Sequence, residues 1–142
     1  MKLQKIIVSG ILENNGSVLI AKRSLSKKIA PGKYHIPGGH VEFGENPEQA
    51  LAREFMEEFQ LTISAKSVVR AFSYVIENAH TIGITYTVVT DDDLSKIKFD
   101  TRDTEKILWV DESMLHSYFP EADNDMITLR QYYIDQPSPL PA

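Results

Sequence analysis

Cysteine is absent from the chain, which excludes disulfides, thiolate zinc sites and a cysteine nucleophile together. Positive charge is in short supply: 15 Lys and Arg against 20 Asp and Glu leave a formal net charge of −5. Duplex nucleic acid is gripped by neutralising its phosphates on a broad basic face, so no nucleic-acid polymer is expected as a partner. A local pair of cations could still hold a small phosphorylated ligand. Long apolar runs are missing too. None approaches the roughly 20 residues of a membrane span. The amino-terminal MKLQKIIVSGILENN is interrupted at Ser9 and Gly10 and ended by Glu13, without the apolar core and cleavage site of a signal peptide. A cytoplasmic protein with no membrane partner is the expectation. Repeats and low-complexity blocks are also lacking.

What is present is ordinary globular composition, 42% hydrophobic and 25% charged, in 142 residues, which suits one domain over 1–142. The Pro-rich tail from Gln136 (136–142) is expected to fray. Residues 3–12 and 17–23 read as two strands of a hairpin turning at Asn14, Asn15 and Gly16. Residues 24–33 have loop composition with clustered cations, and His40 to Phe43 alternate briefly after Pro37, Gly38 and Gly39. Asn46, Pro47 and Gln49 form a helix entry: Asn caps, Pro fits the first position and Gln completes a capping box. That helix should run from Pro47 to about Phe59. Residues 67–77 and 81–90 are β-branched and aromatic, with a turn at Glu77 to His80. Glu105 to Val110 reads as a last strand, Asp111 as the cap of a short helix, and a longer helix follows Pro120. Strands and helices mix without regular alternation, so the fold class is α+β with a mixed sheet between helices.

The informative stretch is Gly39 to Leu61. On the helix, Glu54, Glu57 and Glu58 fall within roughly a 100° arc, three carboxylates on one face. Leu51, Phe55 and Phe59 form a separate row that can face the core. Like charges at helical spacing repel, and a hard divalent cation relieves that repulsion while bridging to substrate phosphates. On an arbitrary helix such glutamates are simply solvated. Here the Pro37–Gly38–Gly39 turn upstream lets backbone approach closely, so the Gly38 carbonyl is a further candidate ligand.

The segment resembles the signature of the Nudix hydrolases. That signature reads Gly, five residues, Glu, seven residues, Arg-Glu, an aliphatic residue, any residue, Glu-Glu, any residue, Gly and an aliphatic residue. Gly39, Glu45, Arg53, Glu54, Phe55, Glu57, Glu58 and Leu61 stand at eight of its nine fixed positions. Within the family, GENPEQALAREFMEE is similar to MutT-like nucleoside triphosphate pyrophosphohydrolases. The likeness is sharp over 31–61 and weaker elsewhere. It implies a Nudix α/β/α sandwich, Mg2+ or Mn2+ dependence, and hydrolysis of a nucleoside diphosphate linked to another group. The departure is Gln60 in place of the usual helix-ending Gly. Altered helix termination, with chemistry retained, is expected there.

Carried onto matching positions, the resemblance makes Glu54, Glu57 and Glu58 metal ligands with the Gly38 carbonyl. Arg53 and Glu45 hold loop and helix in register. Glu54 or Glu105 would finish deprotonating water, with Asp103 the nearest competitor. Arg23 would contact substrate phosphate, beside Gly39, and Asp123 or Asn124 would hydrogen-bond the base; for Asp123 the role of a helix cap alone is an equal alternative. Tyr34, Phe72, Tyr74 and Tyr86 read as core, and the four histidines as surface or packing residues, with His80 near a hairpin tip the one that could line a substrate mouth. The leading reading is hydrolysis of a nucleoside or deoxynucleoside triphosphate to monophosphate and pyrophosphate. A nucleoside diphosphate sugar such as ADP-ribose is the rival substrate, and a non-catalytic nucleotide sensor the rival of another class. Family members are often homodimers, but no surface stripe in the sequence marks an interface.

Overall fold

The structure is a computed structural model that describes residues 1–136. Seven strands and two α-helices follow in the order β1 (Leu3–Asn14), β2 (Ser17–Arg23), β3 (Tyr34–His35), β4 (Gly38–His40), α1 (Pro47–Phe59), β5 (Ile63–Ile76), β6 (Ala79–Thr90), β7 (Thr104–Val110) and α2 (Asn124–Asp135). Short 3₁₀ turns span Leu94–Lys96 and Glu112–Ser117. Residues 137–142, most of the tail expected to fray, lie outside the described residues.

The expected hairpin of β1 and β2 exists only at its tip, where Glu13 pairs with Val18 and Asn14 with Ser17. The rest of β1 runs parallel to β6, from Leu3 opposite Ala79 to Leu12 opposite Val88, and antiparallel to β4 on its other side. β2 instead pairs along its length with β7 and at its end with β3. A continuous apolar run such as IIVSGIL suits a strand buried between two neighbours, and its local turn does not decide which neighbours those are. β5 and β6 form the long hairpin expected, turning at Glu77 and Asn78, so that His80 already lies in β6 opposite Val75. The alternating stretch after Gly39 contributes strand only to His40.

Alternation along β1 and β2 divides the core in two. Val8, Leu12, Leu19 and Ala21 face α1, where Leu51, Phe55 and Phe59 are fully buried. Ile11, Val18 and Ile20 face the opposite way, toward Met126, Leu129 and Tyr132 of α2. The result is a mixed sheet between two helices, the α/β/α arrangement. No β-branched residue occurs in α1, and its entry is a complete capping box: Asn46 accepts from the Gln49 N–H at 2.8 Å, and the Gln49 side chain accepts from the Asn46 N–H at 3.1 Å.

The exit of α1 differs from expectation. Gln60 itself takes the left-handed conformation, φ 56°, ψ 35°, and its N–H reaches the Met56 carbonyl at 3.0 Å. Phe59 and Leu61 on either side are buried, and their packing outweighs the local cost of a side chain there. Among the described residues no helix is long and apolar enough to cross a membrane.

Candidate active site

The glycine strand β4 stands between the acidic face of α1 and a cavity on the α2 side of the sheet. A Cβ on Gly39 would lie 2.2 Å from the Glu54 carboxyl carbon, so only glycine lets this backbone pass so close to the carboxylate. On the cavity side, Gly38, Gly39 and His40 belong to the wall of a space of about 680 Å³.

Arg53 organises the acidic side. Its Nε and one Nη donate to the two oxygens of Glu45 at 2.8 and 2.9 Å, and that Nη also reaches the His40 carbonyl at 3.0 Å. The other Nη donates to Glu54 at 3.0 Å and Glu57 at 3.3 Å. The bidentate guanidinium pulls Glu45 down to a pKa of about 2, helped by the backbone N–H of Glu42. This ties the 40–45 loop to the helix.

Glu54 and Glu58 are the crowded pair. Burial raises both, and each feels its neighbours' negative charge; Glu58 reaches about 8 and shares its proton in a hydrogen bond to Glu54. Glu57, by contrast, is 58% exposed and leans on Arg53, where Glu54 is only 15% exposed. Among the described residues no three acidic or histidine side chains converge into a ready-made cation cage. The donor set still fits a hard divalent ion. It is all oxygen, it is crowded enough to retain a proton, and a cation would take that proton's place while drawing Glu57 from Arg53.

The three groups considered for deprotonation separate clearly. Glu54 abuts Gly39. Asp103 pairs with Lys27, and its charge is felt at Glu58. Glu105 is held at 2.8 Å by Lys22.

Across β4 the cavity collects the chain's scarce cations: Lys5, Arg23 and Lys33 line it. Arg23 Nε donates to the Ile29 carbonyl at 2.6 Å. His35, read from sequence as surface or packing, lines the same wall; burial, with Arg23 and Lys33 nearby, lowers its pKa and keeps the imidazole neutral. His80 faces Gln4 and is not part of the wall. Phe72 and Tyr74, read as core, line the cavity instead, with rings nearly parallel (12°) and centroids 6.4 Å apart. Of the other two aromatics, Tyr86 is buried against Glu48, and Tyr34 packs edge-on against Tyr118.

The far end is the start of α2. Asp123 caps the helix by accepting from the Asp125 N–H at 2.8 Å and pairs with Lys33 at 3.0 Å, so both its oxygens have partners. Asn124 lines the cavity. Asp125, which the sequence did not single out, is partly buried and accepts from the Ile36 N–H at 3.0 Å; desolvation foremost raises its pKa to about 6. Nothing in its sequence context distinguishes it from an ordinary first-turn acid.

The mixed sheet thus carries an acidic helix, a glycine strand against it and a cation-lined cavity beyond. The NUDIX domain model matches residues 3–131, and the chain belongs to that family. Residues 80 in number align at 35% identity with the 8-oxo-dGTP diphosphatase of Escherichia coli K12, covering 56% of this chain and 61% of that protein. A nucleoside triphosphatase NudI from Enterobacter sp. (strain 638) is 42% identical over 55 residues, 39% of each chain. The chain thus spans about two-fifths to three-fifths of these curated relatives. The crystal structure of MutT protein from Methanosarcina mazei Go1 shares the fold at TM-score 0.80 and 21% identity, covering 96% of this chain and 98% of that one.

Proposed function

We propose that the chain is a Mg2+-dependent pyrophosphohydrolase of nucleoside or deoxynucleoside triphosphates, releasing the monophosphate and pyrophosphate. The observation that carries this is the single-strand wall: Gly39 touches Glu54 on one side and lines the cavity on the other. A nucleotide in the cavity therefore lays its polyphosphate beside the acids of α1. The curated relatives named for 8-oxo-dGTP and nucleoside triphosphates support the same substrate class.

Glu54, Glu57 and Glu58, with the Gly38 carbonyl, would hold the ion. When bound, Mg2+ supplies charge neutralisation on the phosphates and a more acidic water. The chain's own part is positional and protonic. Arg53 and Glu45 keep the glycine strand and the helix in register. Arg23 and Lys33 offset the negative charge of the substrate, and Gly39 sets the distance between phosphate and carboxylates. Glu54 is the base best placed to take the water's proton, because Glu105 is already held by Lys22.

The test is turnover of a panel of nucleoside triphosphates and ADP-ribose with Mg2+, read as phosphate after inorganic pyrophosphatase or alkaline phosphatase. Triphosphates should be cleaved well ahead of ADP-ribose. The reverse order would assign the diphosphate-sugar class, and binding without turnover, even with Mn2+, a sensor. Glu57→Gln, which keeps shape and removes charge, should lower kcat at least about a hundredfold with an unchanged fold by circular dichroism. Near-normal rates in that variant would remove the carboxylate site from the mechanism.

A further inference from the structure

The inner end of the cavity carries a hydrogen-bond pattern set by a residue outside the family signature. Arg70, on β5, donates through one Nη to the Asn124 side-chain oxygen at 3.1 Å, to the Asn124 carbonyl at 3.3 Å and to the Thr128 hydroxyl at 3.2 Å. Its guanidinium lies 5.0 Å from the centre of the Phe72 ring, which holds it over the cavity's aromatic wall. The Phe72 ring in turn rests on Gly83, where a Cβ would meet it at 2.4 Å.

Arginine has donors and no acceptor. The carboxamide of Asn124 must therefore turn its oxygen to Arg70, which leaves the Nδ2 amino group, a donor, as its free polar end. Among the described residues that amino group has no hydrogen-bond partner, and no buried side-chain polar atom is left unpaired, so it is open to solvent on a residue that lines the cavity. The next residue supplies the opposite character. One oxygen of Asp125 accepts from Ile36, which leaves the other as an acceptor on a second residue of the same wall. Asp123, the other acid here, has both oxygens engaged.

We propose that Arg70 is a positioning residue that locks Asn124 as a donor beside the Asp125 acceptor, so that the cavity selects bases with a lactam edge. Such an edge sets a ring C=O beside a ring N–H, as in hypoxanthine, guanine, uracil and their oxidised forms. Adenine and cytosine place an amino donor beside a bare ring nitrogen. With the sugar and phosphates holding the base in the same orientation, they would point donor at donor and acceptor at acceptor, a mismatch that leaves polar groups unpaired. The parallel rings of Phe72 and Tyr74 supply the flanking surface for the base. The proposal rests on the reading that the cavity takes the base of a nucleotide.

The experiment compares inosine with adenosine, and uridine with cytidine, pairs that differ at the lactam position. Wild type should favour inosine over adenosine triphosphate, and uridine over cytidine triphosphate, by at least roughly tenfold in kcat/KM. Dissociation constants for inosine and adenosine monophosphate, measured by calorimetry, should follow the same order without any turnover. Arg70→Met frees the carboxamide to rotate, and the preference should collapse to about threefold or less in both readouts; Arg70→Lys, which restores a donor, should recover part of it. Asn124→Asp places an acceptor where the donor was and should shift the preference toward adenosine. A residue that merely stabilised the fold would lower both members of each pair together and leave the ratio intact. A wild-type ratio near one, or a ratio unchanged in Arg70→Met, overturns the proposal. Absence of turnover alone would overturn the hydrolase reading and leave the monophosphate binding ratio to decide this one.

Discussion

Gly39 owes its identity to Glu54 rather than to a turn: its backbone is in a strand, and what forbids a side chain is the carboxyl group beside it. Gly39→Ala should therefore displace Glu54 or open the strand, and a shift of about 1 Å in a reacting geometry costs on the order of a hundredfold in rate. Steady-state kinetics on a protein whose denaturation midpoint is little changed would check this; full activity would mean that Glu54 and β4 are not working in contact. Asp125 makes a prediction of a different kind. Its folded pKa of about 6 lies above the ordinary 3.8, so the folded protein holds this proton more tightly than the unfolded chain. Its contribution makes stability fall as pH rises from about 4 to 6, and the cost persists at neutral pH. Asp123 pushes the pKa further up, whereas Ile36, Lys33 and Arg70 pull against the rise. Asp125→Asn keeps an acceptor for Ile36 and removes the charge. Relative to wild type it should gain on the order of 2 to 3 kcal/mol between pH 4 and pH 7, read from urea unfolding at both. A difference that does not move with pH would mean that the carboxyl is not enclosed.

At the scale of elements, α1 is the part most fully written in local sequence. Its cap, its apolar row and its acidic face all follow from spacings of three and four, and the structure places Leu51, Phe55 and Phe59 together in the core. Its last turn was not legible, because a local rule against a left-handed Gln competes with burial of Phe59 and Leu61, which only tertiary structure reveals. The strain stays real even when it is outweighed. Gln60→Gly should stabilise the protein by about 1 kcal/mol in chemical denaturation, with kcat unchanged. Loss of stability would mean that the Gln side chain contributes more than its backbone costs. The strands divide in the same way. The β5–β6 hairpin is local and could be read; the parallel partnership of β1 with β6 joins residues more than 70 positions apart, and no neighbouring residue announces it.

For the whole molecule, the acidic helix was legible and the cavity opposite it was not. The cavity draws its wall from β1, β5, β6, the loop before β3 and the start of α2, so Phe72, Tyr74, His35 and Asp125 gain their roles only when the sheet assembles. The acidic side leaves a net repulsion that a cation should relieve, which links ion binding to global stability. Mg2+ at a hundredfold excess over its Kd should stabilise the protein by about 2.7 kcal/mol, a rise of roughly 5 to 10 °C in Tm. Glu58→Gln should melt close to wild type in chelator at neutral pH, since Glu58 already holds its proton there, and gain much less from Mg2+. A variant that gains as much as wild type would place the ion elsewhere.

β5 lies at the outer margin of the sheet, hydrogen-bonded to β6 alone among the described strands. Arg70, Phe72 and Tyr74 all stand on it, while the acids stand on α1, behind β4. On the proposed reading, taste and bite thus sit on separate supports. Descendants of this chain would drift toward a new nucleobase by exchanges along β5 and at the start of α2, leaving the acids of α1 as they were.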